Sequence, residues 1–117
     1  MIYNAFQDLK LSALGFGAMR LPEVDGQVDR DTVAKMVDYA IANGVNYFDT
    51  AWPYHAGMSE RVMGEVLSRY PRDSYYLADK YPGHQIMKVM DPKTIFEEQL
   101  RRCNAGYYPL GLPTHCP

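Results

Sequence analysis

Three times along this sequence a short apolar run gives way to a stretch whose apolar residues recur at helical spacing, and this alternation constrains the fold most strongly. The first run, LSALGFGAMRLP (residues 11–22), starts as a buried strand and breaks at its glycines into a loop that ends at Pro22. A polar connector, EVDGQVDRDT, places a turn at Asp25-Gly26. From Asp29 onward, Val33, Met36, Val37, Ala40 and Ile41 share one helical face, with Asp29 or Asp31 as cap and Asn43-Gly44 as stop. VNYFDT is the second strand. The helix after it opens at Ser59 and Glu60, turns Val62, Met63, Val66, Leu67 and Tyr70 inward, and ends at Pro71. YYLADK is the third strand, ending at Lys80 before the Pro82-Gly83 break. Asp91-Pro92 then starts a helix that buries Ile95, Phe96, Leu100 and Cys103. Repeated strand-helix order predicts right-handed crossovers and a parallel sheet.

Composition narrows the classes. The chain has 117 residues, 47% hydrophobic, with a net charge of -2, which predicts one globular domain over residues 1–117. No basic stripe interleaved with aromatics is present, so nucleic acid is not an expected partner. The N-terminal stretch lacks a basic start followed by an apolar core, and no run is long enough to span a bilayer. The expected compartment is the cytoplasm, without membrane contact. Cys103 and Cys116 form neither a CxxC pair nor a Cys/His cluster, so both are expected as reduced thiols and no metal site is assigned.

The chemistry is expected at strand ends. In a parallel sheet the C-terminal strand ends face one side, which puts Asp49, Tyr54 and Lys80 within reach of one another. A free phenol has a pKa of about 10 and is a poor acid at neutral pH. An ammonium beside it favours the phenolate, and a carboxylate beside that ammonium keeps it charged and aimed. Together the three make a general acid able to protonate a carbonyl oxygen as hydride arrives at its carbon. Each residue also has a structural alternative: Tyr54 as an amphipathic plug, Asp49 as a turn-bonding carboxylate, Lys80 as a solvated strand end. The glycines of GFGAMR lack the GxGxxG order and do not open a helix, which excludes a Rossmann fingerprint. His55 and His84 are expected in loops, at the surface or in a substrate pocket. Tyr47, Trp52, His55 and Tyr81 are candidates for an aromatic pocket, with core or surface placement as the alternative.

These residues resemble the aldo/keto reductases. LGFGAMRLP is similar to the first barrel strand and loop of that family, and GVNYFDTAWPYHAGMSERVMGEVL to its signature of an acid at a strand end, a tyrosine five residues on, then Ser-Glu, a glycine and a leucine. LADK matches the strand that delivers a lysine. The resemblance runs from about Leu11 to about Cys103 and is nearest to bacterial members. It implies an α/β fold, the N-terminal part of a (β/α)8 TIM barrel. The family binds a nicotinamide cofactor in extended form, usually NADPH with NADH as the alternative, and reduces a small aldehyde or ketone. Carried over by position, Tyr54 is the proton donor, Lys80 tunes it and Asp49 pairs with Lys80. Gly17, Ala18, Met19, Arg20 and Asp49 lie against the cofactor.

The fourth strand departs from the family. There the pattern is Asp-Tyr, another acid and a terminal histidine, whereas this chain has GYYPLGLPTHCP, with Gly106 and Pro109 at the acid positions and Thr114 at that of the histidine. His115 comes one residue late, and a one-residue slip turns a side chain to the opposite face unless a bulge restores the phase. Pro109 and Pro113 remove ladder donors. Residues 104–117 therefore read as an irregular tail, from truncation, a frame shift or natural variation. A complete barrel takes about 250 residues, and this chain supplies three β/α units and an irregular fourth strand. An open part-barrel exposes a strand edge, which invites self-association. The expectation is an NADP-dependent carbonyl reductase present as a part with little or no activity. The alternatives are a non-catalytic cofactor-sensing or interaction module, and an inactive fragment.

Overall fold

The structure, a computed structural model, describes residues 1–83 and 91–105 in full and residues 114–115 as backbone. Its centre is a four-stranded parallel sheet of β3 (Phe16–Gly17), β6 (Tyr47–Ala51), β7 (Tyr76–Tyr81) and β8 (Thr114–His115), in that spatial order. Helices α1 (Arg30–Ala42), α2 (Met58–Leu67) and α3 (Pro92–Arg102) accompany these strands. Strand alternation sets the two faces of the sheet. Phe48 and Leu77 turn toward the helices and pack with Val33, Val37, Val62, Met63, Val66 and Leu67. Tyr47, Asp49, Ala78 and Lys80 turn the other way, toward what is the interior of a closed barrel.

The helices form where the sequence predicts. Asp29 caps α1 by accepting from the Thr32 amide, and its hydrogen bonds to Thr32 hold its carboxyl below the usual range. Asp91 caps α3 in the same way, ahead of Pro92. Helix α2 differs at both ends. It opens from Gly57, in the left-handed region at φ 90°, and stops at Leu67, so Tyr70 lies past its end. There the Tyr70 hydroxyl donates to Asp38, which also pairs with Arg69 at 2.7 Å and so ties α2 to α1. Ser59 and Glu60 are fully buried instead of exposed in a first turn.

The first predicted strand is divided. Leu9–Ser12 (β2) pairs antiparallel with Tyr3–Phe6 (β1) in an N-terminal hairpin that the sequence reading missed, and the sheet strand β3 is confined to Phe16 and Gly17. Asn46 separates the two parts: its side chain accepts from the Ser12 amide at 2.8 Å and donates to the Lys10 carbonyl at 2.9 Å. The hairpin is thereby fastened at the N-terminal end of β6. The polar connector is a second hairpin, β4 (Glu23–Val24) with β5 (Gln27–Val28). Asp25 (φ 52°) and Gly26 (φ 78°) make its two-residue turn, the backbone sign that matches strand twist.

Of the expected irregular tail, Asn104 and Ala105 still finish α3, since the Ala105 amide donates to the Leu100 carbonyl at 2.9 Å. Gly106, Pro109, Pro113, Cys116 and the loop histidine His84 lie outside the described residues. Among the described residues, no helix is long and apolar enough to cross a membrane.

Candidate active site

Asp49, Tyr54 and Lys80 meet at one corner of the sheet. Pairing of β6 with β7 sets Asp49 beside Ala78 and Ala51 beside Lys80, so Asp49 and Lys80 project from the same face near the C-terminal ends of adjacent strands. Lys80 Nζ lies 2.5 Å from Asp49 Oδ1 and 2.8 Å from the Tyr54 hydroxyl oxygen. The ammonium can only donate, so the phenol oxygen accepts from it and keeps its own O–H proton available for another acceptor. The side chains of Lys80 and Asp49 are 24% and 29% exposed, enough for a ligand to reach them.

Burial pushes the Lys80 ammonium down, but its hydrogen bonds and charge interactions with Asp49 and Tyr54 outweigh that and hold it above the ordinary lysine value. The group therefore stays cationic throughout the neutral range. Tyr47, on the same face, has a phenol raised by burial and by the Asp49 carboxylate, with Lys80 opposing. Its ring packs on Gly15, where an added Cβ would stand 3.1 Å away.

Two anchors fix the end of β7. The Lys80 carbonyl accepts from the Trp52 amide at 3.3 Å and from the Gln99 side-chain amide at 3.0 Å. Tyr54 opens a short 3-10 turn, Tyr54–Gly57, in which His55 and Ala56 are left-handed at φ 51° and 53°. Left-handed backbone at non-glycine residues is costly and clusters where structure is held for a purpose.

The other predicted residues divide. Gly17 sits in register with Asp49, and a Cβ there would meet nothing within 4 Å, so the backbone beside the acid is open for close approach. Met19 and Arg20 are exposed. Ala18 is fully buried, its amide donating to the Asp49 carbonyl and its carbonyl accepting from Ser59, so its side chain belongs to the core. His115 stands in register with Tyr81 and Thr114 with Lys80.

The four aromatic-pocket candidates have different surroundings. Trp52 lies under the Arg102 guanidinium, 3.8 Å from its ring centroid, and Tyr81 shares the helix-facing side of β7 with Leu77 and Asp79. His55 is engaged by Leu21 and Glu23. Tyr47 shares the sheet face of Asp49 and Lys80 and interacts with both charges.

A second polar cluster lies behind the site. Glu60 on α2 and Asp79 on β7 are both fully buried, with Gln99, Arg102 and Cys103 around them. Gln99 Nε2 donates to Glu60 Oε1 at 3.4 Å, Arg102 lies 3.6 Å from Glu60 Oε2, and Cys103 Sγ is 3.4 Å from Asp79 Oδ2. Burial pushes the Glu60 carboxyl up to about 8; the Asp79 carboxylate adds to this and Arg102 opposes it. Glu60, Asp79 and Cys103 bring ligand atoms within 4.8 Å of one another, but Arg102 already supplies the cation there.

A parallel sheet with helices on one face and an acid, a lysine and a tyrosine near its C-terminal rim has the architecture of the N-terminal part of a (β/α)8 barrel. The model of the aldo/keto reductase family matches residues 13–112, and the chain belongs to that family. It is 43% identical over 75 residues to L-galactose dehydrogenase of Arabidopsis thaliana, covering 62% of this chain and 23% of that protein. It is 29% identical over 120 residues to NADH-specific methylglyoxal reductase of Escherichia coli, covering 86% of this chain and 37% of that one. The aldo-keto reductase of Klebsiella pneumoniae crystallised with NADPH superposes with a TM-score of 0.73 at 25% identity, over 92% of this chain and 38% of its own. The chain thus spans well under half the length of these relatives.

Proposed function

We propose that this chain carries the proton-donating part of an NADP-dependent reductase of small aldehydes or ketones, with Tyr54 as general acid. The observation that carries the reading is Lys80 Nζ, placed between Asp49 Oδ1 at 2.5 Å and the Tyr54 hydroxyl at 2.8 Å. The nicotinamide cofactor supplies the hydride when bound. Tyr54 gives its proton to the carbonyl oxygen as negative charge develops there, Lys80 stabilises the phenolate left behind, and Asp49 keeps Lys80 charged and aimed. Gly17, Met19, Arg20 and the open edge of Asp49 offer the surface along which the cofactor lies. The NADPH complex of the Klebsiella relative supports the phosphorylated form, and the NADH-specific Escherichia relative keeps NADH as the alternative.

The 117-residue chain by itself is expected to hold the cofactor weakly and to turn over little, because four parallel strands leave the interior face and the β3 edge uncovered. The same edge supports self-association. His115 takes no assigned part, since its register position is that of Tyr81 and not of Lys80. The test is to titrate NADPH and follow its oxidation with a reactive aldehyde, with Tyr54→Phe alongside. Turnover lost in Tyr54→Phe supports the reductase. Tight cofactor binding without turnover favours a cofactor-sensing module, and neither signal defeats both.

A further inference from the structure

We propose that His55 is a positioning residue: its ring, held as the Nδ1–H tautomer, locks the Tyr54 turn to the loop after β3. This rests on the reading of Tyr54 as proton donor and of the β3 loop as the cofactor surface. The residues after Tyr54 run through three consecutive left-handed conformations, at φ 51°, 53° and 90°, and only the last is a glycine. Such a turn does not persist without support from outside itself. Support comes from the His55 ring, whose side chain is 10% exposed and whose two nitrogens are both engaged. The Leu21 amide donates to Nε2 at 2.9 Å, and Nδ1 stands 2.8 Å from Glu23 Oε1.

The tautomer follows from these partners. A backbone N–H can only donate, so Nε2 must present its lone pair. A neutral ring then carries its proton on Nδ1 and donates it to the Glu23 carboxylate. Leu21 directly follows Met19 and Arg20, and its neighbour Pro22 accepts from the Asp29 amide at 2.8 Å, so this loop is itself fastened to the start of α1. The chain from Tyr54 to His55 is one residue long, and a shift of the ring moves the phenol with it. The two rim loops therefore act as one piece, with the proton donor on one side of the joint and the open arginine on the other.

The ring nitrogens of the full chain, labelled with 15N, test this directly at neutral pH. The expected signature is a protonated Nδ1 and an unprotonated Nε2; the opposite tautomer, or a doubly protonated ring, overturns the proposal. In His55→Ala the Leu21 amide is expected to exchange about tenfold faster, the equivalent of one lost hydrogen bond, and the hydroxyl-bearing carbon of Tyr54 to change its 13C shift. His55→Gln, whose amide oxygen reaches the place of Nε2, is expected to restore both. A His55→Ala chain that only melts at lower temperature, with the Tyr54 signal unchanged, marks a purely structural residue and overturns the proposal. If His55→Ala does not fold, the wild-type tautomer and the His55→Gln spectra decide. NADPH titration of the wild type stands apart: its failure defeats the cofactor reading, while the Leu21 and Tyr54 signals still decide the role of His55.

Discussion

The side-chain amide of Gln99 donates to the backbone carbonyl of Lys80 at 3.0 Å, so the third helix grips the strand end from which the lysine reaches Tyr54. Gln99 is fully buried and also donates to Glu60 Oε1. Replacing it by leucine keeps most of the volume but leaves a buried carboxyl oxygen without its donor. Gln99→Leu is expected to destabilise the chain by about 1–3 kcal/mol, read as a lower urea midpoint with unchanged slope. The Lys80 carbonyl keeps the Trp52 amide, so the strand end is loosened and not released.

Tyr54→Phe removes the donated proton and leaves the ring in place beneath Lys80, whose ammonium stands 4.9 Å from the ring centroid. In the aldehyde assay kcat is expected to fall by about 10²–10⁴, the usual worth of a general acid. Lys80→Met should fall as far, and in addition strands the Asp49 carboxylate. Because Asp49 and Tyr54 hold Lys80 above its ordinary value, the pH profile should show no break from Lys80 in the neutral range. A break near neutrality would mean that the ammonium is not held as the geometry requires.

The Asp49–Lys80–Tyr54 contact was legible because parity is written in sequence: Asp49 and Lys80 lie near the ends of two short strands, which run on to Ala51 and Tyr81, and Tyr54 begins the next turn. The buried cluster behind it was half legible. Asp79 has the parity of Leu77 and so belongs to the helix-facing side, and Gln99 stands four residues from both Ile95 and Cys103, on the apolar stripe of α3. Glu60 could not be read this way, since an acid in a first helical turn is ordinarily solvated and helped by the dipole. Its burial comes from the packing of this turn against α3, which brings Gln99 and Arg102 to the carboxyl. His55 gave no signal because its partners, a backbone amide and a hairpin glutamate, are tertiary. The N-terminal hairpin was missed for a similar reason: its first strand is exposed, and the second is held through Asn46, not by an apolar pattern.

Glu60 makes stability depend on pH in a definite direction. Unfolded, its carboxyl titrates near its ordinary 4.5; folded, it holds its proton up to about 8. Between these values the native state binds more protons than the unfolded one, so stability is greatest at the acid end of the window and is lost as pH rises through it. Glu60→Gln, permanently neutral, is expected to flatten this slope. Melting temperatures from pH 5 to pH 9 check it, and a variant that tracks the wild type across the window would show that Glu60 is ionised in the fold.

Gly64 faces the backbone at the end of α3, and there substitution should be severe. A Cβ would stand 2.5 Å and 2.6 Å from the carbonyl carbon and oxygen of Cys103, and 2.7 Å from the carbonyl oxygen of Arg102. None of these atoms can escape by changing rotamer, so α2 and α3 must move apart. Alanine is favoured over glycine within a helix by about 1 kcal/mol, but an overpacked contact typically costs about 1–3 kcal/mol and more where backbone must shift. Gly64→Ala is therefore expected to lower stability, and to disturb the Gln99–Lys80 contact, since α3 carries Gln99 with it. Chemical denaturation together with the Lys80 amide shift tests both effects. Glu65→Ala, on the exposed side of the same helix, provides the comparison and should change little.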